Sequence, residues 1–311
     1  MPIRAGSRTM RTGLPALADV QRAVAEVLAE HTPGGVRPGE LDRDGRVLRW
    51  LEAGPEEGTA IVLIAGIGTS SLTWAPLLPE LVDLGRVVAY DRAGLGAAEP
   101  DRAPVLTLAA QVDDLAALVR HLDAGPVVLV GHSWGGQLAQ LLARQRPELV
   151  AGLVLADPAH EDFRPRALAL LETALTRYWL LRSALAPARP APGDAQARAE
   201  AAVVAHPHQR RAVLREDRLS NRATAQLRRL RAARPLPEVP VAVLSATEGL
   251  PGVLRARFTA AQARIVAGGV RGVHVVVPGA GHAVHQDAPG AVAAAVREVS
   301  GHSRIARNVG S

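Results

Sequence analysis

The pentapeptide Gly131-His132-Ser133-Trp134-Gly135 constrains this chain more than any other stretch. It follows an apolar run, residues 126–130, that reads as a buried parallel strand. It precedes residues 137–144, which carry good helix formers at helical spacing. A G-x-S-x-G between strand and helix has a steric cause. The tight turn holds its central residue in a strained conformation, and side chains two places before and after would crowd it. The turn lifts the serine hydroxyl above the sheet edge. The helix that follows aims its free N–H groups, and the positive end of its dipole, at the same spot. The spacing predicts a nucleophilic Ser133. The bland alternative is a glycine-rich turn with an idle serine.

The alternation around this turn predicts the fold class. Buried strands are expected at residues 60–65, 86–90, 126–130, 151–156, 239–244 and 273–277, and a half-buried one at 46–53 after the turn Asp42-Arg43-Asp44-Gly45. Helices are expected at 16–30, 72–84, 107–122 with Thr107 as cap, 137–144, 255–267 and 288–299. Strands alternating with helices imply an α/β protein, with a mostly parallel, doubly wound sheet. The rhythm stops from residue 159 to 237, an Ala- and Arg-rich stretch of helical periodicity broken near Pro187 to Gly193. The expected organisation is an N-terminal extension with one helix (1–40, with 1–13 disordered), a core (41–158 and 238–303) and a helical insertion (159–237). Ligands in such sheets bind beyond the carboxyl ends of the strands. Ser133, Asp157, Gly66-Ile67 and the loop after Val277 all fall at such ends.

Composition narrows the function classes. The 311 residues are 48% hydrophobic but only 3% aromatic, so the core must be mainly Leu, Val and Ala. There is no cysteine, which excludes disulfides, cysteine catalysis and thiolate metal sites. The formal net charge is +6, every cation being Arg, and the charge is scattered rather than striped with aromatics, which argues against nucleic acid as partner. No apolar run of signal-peptide length follows Arg11, and nowhere do 18 apolar residues run uninterrupted. The expectation is a soluble, cytoplasmic protein without a membrane span.

A serine hydroxyl is a weak nucleophile at neutral pH and needs an adjacent base. Pro278-Gly279-Ala280-Gly281-His282 follows the last strand, so its loop rises at the same sheet edge as Ser133. His282 is therefore the expected base. With these residues in view, the chain resembles the α/β-hydrolases. The resemblance covers residues 45–300 and rests on the nucleophile turn, on Asp91-Arg92-Ala93-Gly94-Leu95-Gly96, on the Gly281-His282 loop and on the chain order serine, acid, histidine. It implies that His282 takes the serine proton and later protonates the leaving group. It implies a mostly helical cap after the sixth strand, and an oxyanion hole made by the backbone N–H groups of Ile67 and Trp134. Ala65 stands where the family has the histidine of His-Gly-x, and Ala98 where a serine is common.

Most of the family carries its acid after the seventh strand. Here Leu244-Ser245-Ala246-Thr247-Glu248-Gly249 puts Gly249 at that place, with Glu248 one residue out of register. Asp157 ends the sixth strand, where some members carry the acid. An acid must be buried to orient an imidazole and stabilise its cation, which favours Asp157 and leaves Glu248 as the alternative. A cap for the turn at Pro158 is the other use of Asp157.

Other motifs weigh less. Gly66-Ile67-Gly68 hints at a dinucleotide loop, but the third glycine is replaced by Ser71. His282 and His285, with His274 nearby, lack a carboxylate to complete a metal set, so neither metal nor cofactor is expected. His160-Glu161-Asp162 reads as a helix start, His206 and His208 as surface residues, and Arg228, Arg229 and Arg231 as a solvated face that could attract an anionic substrate. Arg92 is expected to brace loops. The resulting expectation is a cofactor-independent serine hydrolase that cleaves a small ester, lactone or thioester through an acyl-enzyme on Ser133. The rivals are acyl transfer or chain release by the same triad, and a catalytically silent relative that binds a small ligand.

Overall fold

The structure is a computed structural model that describes residues 14–185, 190–191, 193–267 and 271–309, the last eight as backbone only. The expected disorder of residues 1–13 and most of the break at 187–193 lie outside these. Eight strands pair into one sheet: β1 (Arg37–Asp42), β2 (Val47–Ala53), β3 (Ile61–Ile64), β4 (Val87–Asp91), β5 (Val127–His132), β6 (Val150–Ala156), β7 (Val241–Ala246) and β8 (Gly272–Val277), in the order β1-β2-β4-β3-β5-β6-β7-β8. β2 is antiparallel to both its neighbours, and the pairs from β4 to β8 are parallel.

The helices are α1 (Leu17–Glu30), α2 (Leu108–His121), α3 (Trp134–Gln145), α4 (Arg166–Leu185), α5 (Ala195–Ala205), α6 (Pro207–Arg222), α7 (Thr224–Ala233), α8 (Gly252–Val266), α9 (Val284–Asp287) and α10 (Pro289–Val309). They explain why the central strands are apolar without interruption. In β3, Ile61 and Leu63 join one core layer with Leu28 of α1 and Val296 of α10; Val62 and Ile64 join the other with Leu115 of α2 and Leu138 of α3. A strand covered on both faces has no position for a polar residue. Thr107 caps α2 as expected, its Oγ1 accepting from Ala110 N at 3.1 Å.

β1 was not expected. Its residues alternate between half-buried and exposed at the sheet margin, so no apolar period marks them. Gly39 is required there, because a Cβ would run into the Trp50 indole. α1 covers this margin, and Gln21 Nε2 donates to Trp50 O at 2.9 Å and to Gly39 O at 3.2 Å. The helix expected at 72–84 is corrected to short 3₁₀ turns, Ser71–Trp74 and Leu78–Glu80. Pro76 and Pro79 lack the N–H that α-helical bonding requires.

α4 to α7 lie between β6 and β7. α4 leaves Leu170, Leu175, Tyr178 and Leu181 exposed. Among the described residues no helix is long and apolar enough to cross a membrane.

Candidate active site

Ser133 stands between β5 and α3 at φ 50°, ψ −116°, a strained conformation for a residue with a side chain. The flanking glycines make the turn possible. A Cβ on Gly131 would lie 2.6 Å from Gly135 O, and one on Gly135 would run into the Ile64 carbonyl and stand 2.6 Å from Ala65 O. Register puts Gly131 opposite Leu155 and His132 opposite Ala156, so the ends of β5 and β6 emerge together.

His282 Nε2 lies 3.0 Å from Ser133 Oγ, and His282 Nδ1 lies 2.7 Å from Asp157 Oδ2. An ionised carboxylate only accepts, so Nδ1 carries the proton and Nε2 is free to accept from the serine hydroxyl. Asp157 is fully buried at φ 42°. Its Oδ1 accepts from Ala246 N (3.1 Å), Arg255 Nη1 (3.1 Å) and Gln262 Nε2 (2.9 Å), which turns Oδ2 toward His282. Burial pushes the Asp157 carboxyl up, but the hydrogen bond and charge of His282, with Gln262 and Arg255, hold it below the ordinary carboxylate value. Glu248 is exposed, its carboxylate accepting from Thr247 Oγ1 at 3.4 Å; among the described residues no hydrogen bond joins it to His282.

Ile67 and Trp134 line the same cavity as Ser133 and His282. The Trp134 N–H is the first amide of α3, and among the described residues neither it nor the Ile67 N–H meets a hydrogen-bond acceptor. The cavity holds about 630 Å³ and is walled by Phe163, Leu168, Leu171, Leu175, Leu227 and Phe258, with Arg164, Glu172 and Asp217 on its polar side. An adjoining opening of about 700 Å³ is lined by Arg164, Arg166, Arg228 and Arg257 and contains neither Ser133 nor His282.

Behind the loop of Ile67, Arg92 braces as expected. Its Nη1 donates to Ala65 O and its Nη2 to Gly66 O, each at 2.6 Å. The partner was not expected. Glu216 of α6 accepts from Arg92 Nε at 2.6 Å, from Gly68 N at 2.8 Å and from Gln111 Nε2 at 2.6 Å. A glutamate on an amphipathic helix carries no sequence signal that separates this role from a solvated one.

The other histidines are engaged elsewhere. His285 Nε2 meets Thr73 Oγ1 at 2.8 Å, and His274 Nε2 meets Ser245 Oγ at 2.8 Å. His132 Nε2 donates to His282 O at 2.8 Å. Burial, with the nearby His282 adding to it, holds the His285 imidazole down to about 4, and His132 is likewise held well below its ordinary value. His160-Glu161-Asp162 does not start a helix; α4 begins at Arg166. Its carboxylates are held by Arg231 Nε on Glu161 (2.8 Å), Arg228 Nε on Asp162 (2.8 Å) and Arg231 Nη2 on Asp162 (2.7 Å). Arg228 and Arg231 therefore join α7 to the segment after β6 rather than forming a free cationic face. His206 and His208 are half-buried and stack at 4.8 Å, not fully on the surface. Gly66-Ile67-Gly68 lies in a loop ahead of the 3₁₀ turn Ser71–Trp74, whose Ser71 N already donates to Asp91 Oδ1 at 2.6 Å, so among the described residues no α-helix N-terminus faces that loop as a phosphate site would require.

Known proteins resemble parts of this chain. A region of the decarboxylase named cis-3-alkyl-4-alkyloxetan-2-one decarboxylase from Xanthomonas campestris pv. campestris is 32% identical over 153 residues, covering 46% of this chain and 51% of that protein. Lipase LipV of Mycobacterium tuberculosis is 42% identical over 106 residues, covering 34% and 40%. The chain thus spans about half or less of the length of these curated relatives. The crystal structure of Cfl2 from Burkholderia cenocepacia superposes with a TM-score of 0.68 at 25% identity, over 85% of this chain and 95% of that one. The profile of the alpha/beta hydrolase family matches residues 61–295, from β3 into α10, and the chain belongs to that family.

Proposed function

We propose that the protein is a cofactor-independent serine hydrolase acting on a small ester, lactone or thioester with apolar substituents. One observation carries the reading: an unbroken line of hydrogen bonds runs from Ser133 Oγ through His282 to the buried carboxylate of Asp157. His282 Nε2 takes the hydroxyl proton as Ser133 Oγ attacks the carbonyl carbon. The resulting imidazolium is stabilised by Asp157. The carbonyl oxygen gains negative charge, which the N–H groups of Ile67 and Trp134 stabilise. His282 then protonates the leaving alcohol or thiol. Water attacks the acyl-enzyme by the same route and frees Ser133.

In this reading α4 to α7 form a cap, residues 159–237, over the core of 41–158 and 238–303. The apolar walls contributed by Leu168, Leu171, Leu175 and Leu227 support a hydrocarbon-bearing substrate. The relatives named lipase and oxetan-2-one decarboxylase suit an ester or a strained lactone as substrate.

A fluorophosphonate probe tests the reading. We expect one adduct, on Ser133, and hydrolysis of short p-nitrophenyl esters that falls by roughly 10⁴-fold or more in Ser133→Ala. Alanine fits the same turn, so the variant keeps its melting temperature. An unlabelled wild type that turns over no ester in a panel of acyl lengths would leave a ligand-binding protein. Appearance of acyl-acceptor product in place of the free acid would shift the reading to transfer.

A further inference from the structure

We propose that Glu216, supplied by the inserted helix α6, is a positioning residue for the oxyanion hole. The inference rests on the hydrolase reading above and deepens it. Gly66 O and Ile67 N belong to a single peptide unit. That unit is planar, and no described peptide bond is cis, so its C=O and N–H point in opposite directions. Arg92 Nη2 holds Gly66 O at 2.6 Å from the buried side. The Ile67 N–H is thereby turned the other way. Ile67 lines the cavity that holds Ser133, and Gly66 sits against the nucleophile turn, where an added Cβ would stand 2.9 Å from His132 Nδ1 and 3.4 Å from Ser133 Cβ. Gly66 O also accepts from Thr69 Oγ1 at 2.9 Å and Thr69 N at 3.3 Å, within the loop itself; the guanidinium is the donor that ties this peptide to the rest of the core and has the shortest contact.

Glu216 sets where the guanidinium sits. Its carboxylate receives Arg92 Nε at 2.6 Å and Nη2 at 2.7 Å in a two-pronged pair, with Glu216 and Arg92 1% and 2% exposed. The same carboxylate receives Gly68 N at 2.8 Å, so the loop is pinned on both sides of Ile67. It also receives Gln111 Nε2 at 2.6 Å, and Gln111 Oε1 accepts from the Trp134 indole at 2.9 Å. Both residues that supply the oxyanion donors are therefore tied to one side chain on the inserted helix. The carbonyl of Ala65, the residue ahead of the loop glycine, is held by Arg92 Nη1. Seating α6 on the core and forming the oxyanion hole are one event.

The test compares Glu216→Gln, Glu216→Ala and the paired replacement Arg92→Met with Glu216→Leu. The paired variant removes both charges together, so it leaves no unpaired ion in the core. The readouts are kcat and KM for p-nitrophenyl butyrate, and the inhibition constant of butylboronic acid, whose serine adduct is tetrahedral like the transition state. We expect kcat to fall about 100-fold in the paired variant and boronate binding to weaken by a similar factor, the scale of losing one oxyanion donor. KM should stay within about threefold, because the ground-state ester gains little from the hole. A folded variant lacking the carboxylate but keeping wild-type kcat and boronate affinity overturns the proposal. So does equal weakening of KM and boronate affinity, and so does failure of all three variants to fold, which would assign the pair to stability alone. A wild type that neither takes a fluorophosphonate nor cleaves esters refutes the hydrolase reading itself, before any variant is made.

Discussion

Ser133 and Asp157 both sit at positive φ, 50° and 42°, where side chains are uncommon, and each is held there by hydrogen bonds of its own backbone. Ser133 N donates to Ala156 O at 3.2 Å, and Asp157 N donates to Leu244 O at 2.7 Å. The strain at Ser133 was legible because relieving it requires glycines at fixed spacing. His282 was legible because its loop leaves the sheet at the same edge. The proposed acid was legible only as a choice between strand ends, since burial belongs to the folded chain. Asp157 is fully buried and touches His282, whereas Glu248 is exposed. Asp157→Asn is therefore expected to lower kcat/KM by on the order of 10³–10⁴-fold, because an amide favours the wrong imidazole tautomer and cannot stabilise the cation. Glu248→Gln should stay within about twofold, the ordinary range for a surface change. Steady-state kinetics on both variants, with equal activity as the adverse outcome, checks the assignment. Glu216 was illegible for the converse reason. Its partners lie 105 to 148 residues away in sequence, and no local pattern records them.

α8 shows how an element replaces a residue. By resemblance, an acid is expected near Gly249 after β7; there the helix that follows turns Arg255 and Gln262 toward Asp157. They are seven residues apart, two helical turns, and so share one face. Gln262 also donates to Pro158 O at 3.0 Å and accepts from Ser245 Oγ. Gln262→Leu fits the volume but leaves these groups unpaired in the interior. We expect it to destabilise the fold by about 1–3 kcal/mol in urea titration and to lower kcat by roughly tenfold through a less firmly held Asp157. Unchanged kcat in a destabilised variant would show that Arg255 and Ala246 N alone hold the acid. The strands and flanking helices of the core were readable because strands covered on both faces must be apolar and helices keep their period. The exception at 72–84 had that period but also Pro76 and Pro79, and the missing N–H groups outweighed it.

The whole molecule carries a pH dependence written by its buried rings. His285 is fully buried against Trp74 and His132, with His282 and Asp287 as the titratable neighbours acting on it. Its folded value, about 4, lies below the unfolded 6.5. The unfolded chain therefore binds the proton first, and stability present above 6.5 is lost as pH falls toward 4. His132 is shifted in the same direction. From pH 7 to 5 His285 alone should remove about 2 kcal/mol, at 1.36 kcal/mol per unit below 6.5. His285→Gln should flatten that slope when urea midpoints are compared at the two pH values, and an unchanged slope would refute the assignment. Asp157 and Asp162, both held below the usual carboxylate value, add a further loss at lower pH still. The position of Asp157 also has a consequence in time. The proposed nucleophile and acid belong to a single strand–helix–strand unit, β5-α3-β6, so short loops bring them together. The base must arrive across 149 residues from Ser133 and 125 from Asp157. During synthesis, serine and acid can therefore become folded neighbours long before residue 282 leaves the ribosome. In the proposed mechanism, a nascent chain stalled short of that residue holds the serine and its acid but not the base that would take the serine proton.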